Sequence, residues 1–296
     1  MKSCKAKLFE KFFRIRTMNS GKTMELTKRR FKSQSTFAIP KSFYKIANVK
    51  LEKFNSHQCY VITPKNNPSI NKCMYIHGGG FISQIVIFQW LLIKRLMLAT
   101  NATFYVPNYP LSTDKYASAP DVVTMLLEAY KSMLKETKSS NIHIMGDSAG
   151  AGLTLILGQQ AKLHGLPPPK NLISFSPPLD LDISEAQANE MVKHDAILGA
   201  GLLTAACKWY VPAGDDPKKP IYSCLYGDFK DIGFITVFIG EHECLLEQNN
   251  ELDKKLTNEH IEHNYIVGKE MFHVWVIFRI KESQEPFELI VKLING

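Results

Sequence analysis

Short apolar segments alternate with longer amphipathic ones along most of this 296-residue chain. After an opening pair of strands at 44–51 and 58–63, the apolar runs are typical of strands buried on both faces. We predict these strands at 72–76, 102–106, 142–145, 172–175, 234–239 and 261–267. Helical periodicity predicts helices at 86–99, 120–135, 148–163, 245–259 and 285–294. Such alternation predicts an α/β fold with a mostly parallel sheet covered by helices on both faces.

Two segments fall outside this alternation, namely the N-terminal residues 1–42 and a polar helical insert at 183–211. Ligands of doubly covered sheets bind at the carboxyl ends of the strands, where extra segments tend to cover the site. We therefore assign both segments to a small helical cap, and residues 43–182 and 212–296 to the core.

The basic charge of the chain is concentrated at its N-terminus. Residues 1–41 contain twelve Lys or Arg and two Glu, whereas the remainder contains 24 basic and 26 acidic residues. We predict a helix there with one apolar stripe and basic side chains opposite, formed by Leu8, Phe9, Phe12, Phe13 and Ile15 against Lys7, Lys11 and Arg14. Residues 1–41 either pack over the body as a lid or make weak contact with an anionic membrane. No base-reading motif accompanies the charge, so we expect no nucleic-acid partner.

Cysteine spacing and hydropathy bear on the compartment. The six cysteines form no C-x-x-C pair and no metal-ligand spacing, which favours free thiols in a reducing compartment. The longest apolar stretch, 85–93, is too short for a membrane span of about 18 residues, and Gln89 interrupts it. Glu10, Lys11 and Arg14 argue against a secretory signal peptide. We expect a cytoplasmic protein.

A serine lies in the pentapeptide Gly146-Asp147-Ser148-Ala149-Gly150, between a predicted strand and a predicted helix. Flanking glycines allow the tight strand-to-helix turn that exposes a nucleophilic serine, and the helix dipole there favours developing negative charge. The alternative is an ordinary helix start with Ser148 as its cap. Asp147 is either a supporting residue near the site or a solvated or capping side chain.

A second glycine-rich segment, His77-Gly78-Gly79-Gly80, follows the strand that should lie beside the first. Acyl transfer needs an activated nucleophile and fixed N–H donors for the oxyanion that it creates. Paired with the serine turn, this segment predicts an oxyanion loop in which the N–H groups of Gly79, Gly80 and Ala149 donate. Gly78 supports the same loop, and we expect His77 to be a structural hydrogen-bonding residue. A flexible glycine turn is the alternative.

These motifs make the chain resemble the hormone-sensitive-lipase-like branch of the α/β-hydrolases, which includes many small bacterial esterases. The likeness spans residues 40–296 in element order and includes Ser176-Pro177-Pro178 and Met271-Phe272-His273. It implies an α/β-hydrolase fold, and a catalytic triad in the order nucleophile, acid, histidine, with the last two after the final strands. It also implies a homodimer.

Four histidines lie late enough for that order: His242, His260, His263 and His273. His273 follows the last predicted strand and matches the family's M-x-H pattern, although the apolar residues after it also allow a core histidine. The family's acid stands in a G-x-x-D-x-L pattern, and Glu243 occupies the place of that Asp, with Glu241 and Glu247 as alternatives. A glutamate is chemically adequate because its task is to orient the imidazole and stabilise the imidazolium.

A second departure from the family lies at residues 109–112, which read Tyr-Pro-Leu-Ser where the family has Tyr-Arg-Leu-Ala-Pro-Glu. This departure concerns the local scaffold and the pocket edge. We assign no catalytic role to Asp180 or Asp195. Aromatic side chains are expected to shape the pocket: Phe9, Phe13, Phe81 or Trp209.

The sequence therefore predicts a serine carboxylic-ester hydrolase in which Ser148, His273 and Glu243 act through an acyl-enzyme. Its expected substrate is a small or short-acyl ester, and the reaction requires no metal and no cofactor. One alternative is a non-catalytic small-ligand receptor on the same fold. The other is a lipase or amidase that acts on a membrane-associated substrate.

Overall fold

The computed structural model describes residues 2–20, 37–112 and 118–296. The strands are β1 (Ala47–Phe54), β2 (His57–Pro64), β3 (Lys72–Ile76), β4 (Thr103–Pro107), β5 (Ile142–Asp147), β6 (Asn171–Phe175), β7 (Phe234–Gly240) and β8 (His263–Gly268). The helices are α1 (Cys4–Ser20), α2 (Phe43–Ile46), α3 (Ile87–Thr100), α4 (Ala119–Glu136), α5 (Ala149–Leu163), α6 (Glu185–Met191), α7 (Ala200–Tyr210), α8 (Leu246–Asn258) and α9 (Gln284–Asn295). Short 3₁₀ turns lie at Ser139–Asn141, Cys224–Tyr226 and Trp275–Ile277.

The eight strands form one sheet in the order β1-β2-β4-β3-β5-β6-β7-β8. β2 pairs antiparallel with β1 and with β4, and every neighbour from β4 to β8 is parallel. β4, β5 and β6 are buried along their whole length. Strands covered on both faces must be mostly apolar, which is why they appear in the sequence as short, largely apolar runs. The predicted, mostly parallel sheet is confirmed.

Helices build a separate hydrophobic core on each face of the sheet. Successive side chains of a strand point to opposite faces, and β4 shows the division. Tyr105 joins the core that contains Leu126 of α4. Its neighbour Phe104 joins the core that contains Trp90 of α3 and Ile290 of α9. The two cores hold the sheet between them, so its carboxyl edge is a rigid base for the loops that leave it.

Three further helices come from the two segments outside the predicted alternation. α6 and α7 come from the predicted insert, and α1 comes from the basic N-terminal segment. Residues 21–36 of that segment lie outside the described residues. The assignment of these pieces to a cap, with the domain bounds, stays a prediction. In the described part of the chain, no helix is both long and apolar enough to cross a membrane.

The described side chains of α1, up to Ile15, contact the body through one side of the helix. The ring of Phe9 lies 5.1 Å from that of Phe278, and the Ser3 hydroxyl donates a hydrogen bond to Glu282 at 2.8 Å. The apolar stripe of α1 is divided between the body and solvent. Phe9 and Phe13 are half-buried, whereas its other members are exposed, namely Leu8, Phe12 and Ile15.

Candidate active site

The carboxyl edge of the parallel strands gathers the predicted site residues. Ser148 follows β5 directly, and His77 follows β3. Glu243 lies three residues beyond the end of β7, and His273 lies five residues beyond the end of β8. Since parallel strands end at the same edge of a sheet, loops from four strands meet at one place. Residues far apart in the sequence thereby become neighbours.

Ser148 occupies a sharp turn between β5 and α5. Its backbone has φ 51° and ψ −124°, and its N–H donates to the carbonyl of Phe175 at 2.8 Å. A Cβ on Gly150 would collide with the carbonyl oxygens of Ile76 and His77, so only glycine fits there. The helix begins at Ala149, and the Ser148 side chain makes no capping hydrogen bond. The hydroxyl is therefore available for another partner.

Backbone strain is concentrated around this turn. Positive φ angles at non-glycine residues cost about 1–3 kcal/mol each and persist only where the surrounding fold enforces them. Val274 is β-branched, which makes its left-handed conformation especially unfavourable. Five such residues lie at the carboxyl edge of the sheet: Phe81 (61°), Ser148 (51°), Ser176 (56°), Glu270 (58°) and Val274 (54°).

A chain of hydrogen bonds joins the serine to a histidine and a carboxylate. His273 Nε2 lies 2.8 Å from Ser148 Oγ, and His273 Nδ1 lies 2.7 Å from Glu243 Oε2. With the proton on Nδ1, the ring donates to Glu243 and its Nε2 accepts from the serine. The second oxygen of Glu243 accepts from the Ser176 hydroxyl at 2.7 Å and from the N–H of Gly240. Both carboxylate oxygens are thus fixed.

Burial and mutual pairing determine the protonation of His273 and Glu243. Burial is the largest influence on His273 and lowers its pKa, but the adjacent Glu243 carboxylate, together with Asp195 and Asp147, raises that pKa above its usual 6.5. Burial raises the pKa of Glu243, although the histidine and the Ser176 hydroxyl oppose the change. The arrangement stabilises an imidazolium at His273, the species that forms when the ring accepts a proton from Ser148.

The alternative residues lie elsewhere. His263 Nε2 lies 2.9 Å from Asp253, at the start of β8 and away from the carboxyl edge. Glu241 is exposed and accepts from the N–H of Glu270 at 2.7 Å. Glu247 is exposed on α8.

The glycine loop after β3 presents unused N–H groups to the same space. Gly79 and Gly80 have φ 123° and 61°, which turns the backbone away from a strand direction. Among the described residues, no hydrogen bond uses the N–H of Gly79, Gly80 or Ala149. All three residues line one cavity with Ser148. Backbone donors without internal partners at this position suit a developing oxyanion.

The Asp147 side chain anchors the glycine loop that follows β3. Its buried carboxylate accepts from the Tyr75 hydroxyl at 2.7 Å, from the N–H of Gly78 at 3.0 Å and from the side chain of Gln89 at 2.9 and 3.0 Å. Burial raises the pKa of Asp147, and these hydrogen bonds oppose the change. Asp147 is therefore not solvated. Gly78 contributes to the loop by donating to this carboxylate.

His77 is wholly buried beside the loop. Its Nδ1 donates to the carbonyl of Gly78 at 2.8 Å, and its ring stacks on Tyr109 with 4.5 Å between the centroids. Burial lowers the pKa of His77 to about 4, so the ring is neutral near pH 7. Tyr109, from the segment that departs from the family pattern, donates its hydroxyl to the carbonyl of His77 at 2.8 Å. These contacts fit a structural hydrogen-bonding residue.

Sequence reasoning missed two supporting residues. Gln89 is the polar member of the apolar run 85–93, and its position inside a buried helix was a signal that its amide has a buried partner. Ser176 lies in the Ser-Pro-Pro segment, and it also accepts from the N–H of Val274 at 3.0 Å. It thus connects Glu243 to the turn that carries His273. The sequence offered no signal for this connection.

An apolar cavity of about 210 Å³ opens over Ser148. Phe13 and Phe81 line it, as predicted, whereas Phe9 and Trp209 are not among its lining residues. α7 and the segment before it supply six further apolar lining residues: Ile197, Leu198, Leu202, Leu203, Ala206 and Cys207. In the described ranges, no cluster of three His, Cys, Asp or Glu side chains could hold a metal ion.

Comparison with known proteins agrees with this architecture. The α/β hydrolase fold family matches residues 73–277, which is more than half of the chain. The chain belongs to this α/β-hydrolase family. The match runs from β3 to the 3₁₀ turn after His273, so it includes the glycine loop, the serine turn and the segment that carries Glu243.

Three curated proteins are similar to this α/β-hydrolase. An esterase of Acinetobacter venetianus is 27% identical over 208 residues, covering 68% of each chain. An acetyl-hydrolase of Streptomyces hygroscopicus is 26% identical over 203 residues, covering 68% of this chain and 67% of the relative. A triacylglycerol lipase of Mycobacterium tuberculosis is 27% identical over 219 residues, covering 73% of this chain. The match spans only 44% of the length of that lipase.

A solved structure of a hormone-sensitive lipase from a metagenome library has the same fold as this α/β-hydrolase. It superimposes with a TM-score of 0.81 and 23% identity, covering 98% of this chain and 97% of the other. The fold of the resembled branch is therefore present along the chain.

Proposed function

We propose that this α/β-hydrolase is a serine carboxylic-ester hydrolase that acts through an acyl-enzyme. The observation that supports it best is the hydrogen-bond chain from Ser148 Oγ through His273 to Glu243, with distances of 2.8 and 2.7 Å. The names of the esterase, lipase and acetyl-hydrolase relatives point to the same reaction class.

In the proposed acylation, His273 Nε2 takes the proton of Ser148 as Oγ attacks the ester carbonyl carbon. The carbonyl oxygen becomes an oxyanion, which accepts hydrogen bonds from the N–H groups of Gly79, Gly80 and Ala149. Glu243 keeps the proton of the ring on Nδ1 and stabilises the imidazolium. The imidazolium then protonates the departing alcohol oxygen, and the acyl group stays on Ser148.

Deacylation repeats these steps with water as the nucleophile. His273 takes a proton from water, the hydroxide attacks the acyl carbon, and the same donors stabilise the second oxyanion. Its collapse releases the carboxylic acid and returns the proton to Ser148 Oγ. The residues present supply every proton transfer.

The cavity supports a small acyl group. Its volume of about 210 Å³ is close to that of an engineered protein cavity of about 150 Å³ that accommodates benzene. We therefore expect kcat/KM for p-nitrophenyl esters to be highest for acyl chains of a few carbons and to fall for long chains. The homodimer and the cytoplasmic location stay predictions.

The central test removes the nucleophile. Ser148→Ala should lower kcat for a p-nitrophenyl ester by about 10⁵–10⁶, because the three groups act as a unit. Ser140→Ala, an exposed serine near the opposite end of β5, is the matched control and should keep full activity. Wild-type enzyme should also release p-nitrophenol in a rapid burst as the acyl-enzyme accumulates.

Three outcomes separate the alternatives. A Ser148→Ala protein that still hydrolyses the ester would reject the assigned nucleophile. A wild-type protein that binds ester analogues in the cavity but turns over neither esters nor amides would identify a receptor. Hydrolysis of anilides at rates that match the esters would extend the reaction to amides.

A further inference from the structure

Exposed apolar side chains of the described residues are concentrated on two neighbouring helices. α1 and α3 are in contact, with 5.9 Å between the ring centroids of Phe9 and Phe88. Seven of the thirteen large hydrophobic residues that are exposed belong to these helices or to the residue that caps α3, so their distribution is far from even. The seven form what we term the α1/α3 face: Leu8, Phe12, Ile15, Val86, Ile87, Leu91 and Leu98.

The spacing of these residues places them on continuous helix faces. Leu8, Phe12 and Ile15 are four and three residues apart, which is one side of a helix. Ile87 and Leu91 repeat the four-residue spacing on α3, and Leu98 follows two turns later on the same side. The opposite sides of both helices are occupied by contacts with the body, so these apolar stripes have no partner within the described residues.

A basic border runs along the apolar stripe of α1. Lys7, Lys11 and Arg14 are exposed and repeat the spacing of the stripe one position earlier, so they lie beside it. Glu10 is the one acidic residue in α1, and it pairs with Lys2 at 2.5 Å and with Arg14 at 3.4 Å. α3 contains no acidic residue; its Lys94 is half-buried, and its Arg95 packs over the ring of Phe287, 4.2 Å from the centroid.

We propose that the α1/α3 face docks the protein on an anionic lipid bilayer. Apolar side chains bordered by lysines and arginines are the pattern of helices that lie in a membrane interface, where the basic groups meet lipid phosphates. A second copy of the chain would bring the same positive charge to the same face. Charge complementarity therefore favours lipid over self-association.

The cavity over Ser148 lies next to the α1/α3 face, so docking would place the bilayer near the active site. Phe13 of α1 and Val86 and Phe88 at the start of α3 line the cavity over Ser148. The cavity rim thus adjoins the α1/α3 face at Val86, and a lipophilic ester could pass from the bilayer to the serine without crossing water. This use rests on the proposed function, whereas docking itself does not.

Contacts with the body also hold α1 in place. The N–H and hydroxyl of Ser3 donate to the Glu282 carboxylate at 2.5 and 2.8 Å, and Phe9 packs on Phe278. α1 therefore packs on the body and presents an apolar stripe to the outside at the same time. The two interpretations of the basic segment, as a lid and as a membrane contact, are compatible for this helix.

The test is sedimentation of the full chain with vesicles of phosphatidylcholine alone and of equal parts phosphatidylcholine and phosphatidylglycerol. We expect binding to the anionic vesicles and none to the neutral ones. Lys7→Gln/Lys11→Gln should lower the partition coefficient about 30-fold, because each basic residue near an anionic surface contributes about five-fold. Phe12→Ser/Leu91→Ser should abolish detectable binding.

A matched control removes two exposed apolar residues outside the face. Ile70→Ser/Leu163→Ser changes residues that are 68% and 73% exposed and should bind the anionic vesicles like the wild type. Failure of the wild type to bind anionic vesicles at physiological salt would overturn the proposal, and so would equal loss of binding in the control. Dimerisation without lipid that Phe12→Ser/Leu91→Ser abolishes would instead identify the face as a dimer interface.

Parallel assays keep the two proposals apart. Every variant is assayed on a soluble short-acyl ester, on which the surface variants should match the wild type because none of the changed residues lines the cavity. Ser148→Ala should bind anionic vesicles as the wild type does. Vesicle binding without ester hydrolysis would refute the proposed function and support docking. Ester hydrolysis without vesicle binding would refute docking and support the proposed function.

Discussion

Glu243 offers the sharpest test of how the proposed triad works. Its Oε2 lies 2.7 Å from His273 Nδ1, and its Oε1 is fixed by Ser176 and Gly240. Glu243→Gln removes the negative charge while keeping the shape of the side chain. The substitution therefore separates the charge of the acid from its packing.

The expected loss of activity can be worked out from the geometry. Taking roughly 4 Å between the charge centres and an effective dielectric constant of about 20, the ion pair stabilises the imidazolium by about 4 kcal/mol. That energy corresponds to about 10³ in rate. The amide also favours the wrong ring tautomer, which brings the expected loss in kcat to about 10⁴.

The pH dependence of Glu243→Gln has a definite sign. Neutral His273 is the form that accepts the serine proton, so activity falls as pH drops through the pKa of the ring. In the wild type that pKa lies above 6.5, and Glu243 is the main group that raises it against the effect of burial. Without the carboxylate, burial is opposed only by Asp195 and Asp147, so the pKa of the ring falls and the acid limb of kcat/KM should shift to lower pH even as the maximum falls.

The assay is kcat/KM for a short p-nitrophenyl ester across the acid limb. Glu241→Gln, which removes an exposed carboxylate from the same loop, is the control and should leave both the rate and the limb unchanged. The reasoning is refuted if Glu243→Gln retains activity within tenfold of the wild type. An acid limb that moves upward in this variant would also contradict it.

Three further substitutions test the supports of the site. Gln89→Leu removes two hydrogen bonds from the buried Asp147 carboxylate, so urea titration should show a free energy of unfolding lower by about 2–3 kcal/mol, with kcat also reduced. An unchanged unfolding midpoint would contradict the role given to Gln89. Gly79→Ala places a Cβ 2.8 Å from the carbonyl oxygen of Ser83 at φ 123°; kcat should fall about 10²–10³ as an oxyanion donor moves, with KM less affected. Leu202→Ala removes side-chain volume from the cavity wall and so enlarges the cavity. The acyl-chain length that gives the highest kcat/KM in the ester series should therefore increase, and an unchanged optimum would exclude Leu202 from the acyl site.

The sheet and the reacting residues could be predicted from sequence because local signals mark them. β4, β5 and β6 are short, largely apolar runs, and glycines are required around Ser148 for steric reasons that act within a few residues. The positions of Ser148, His273 and Glu243 then followed from a resemblance in motif order. Their mutual distances did not follow from the sequence, because those depend on how four strand ends align.

The face that α1 presents to the body could not be predicted from sequence. Helical periodicity showed an apolar side that includes Leu8, Phe9 and Phe13, but it could not show where the body would make contact. Phe9 and Phe13 pack against Phe278, whereas Leu8 is exposed to solvent. The role of Ser176 was hidden for a similar reason, since its hydroxyl acts on a carboxylate that is 67 residues away in the chain.

The unfavourable backbone angles at Phe81, Ser148, Ser176 and Val274 have a consequence for engineering this protein. Replacements that relax such positions would raise the melting temperature while letting the nucleophile, its base or their supports drift apart. A screen that selects only for heat resistance would therefore enrich inactive molecules at this edge of the sheet. Thermostable and active variants should come from changes in the two cores below it.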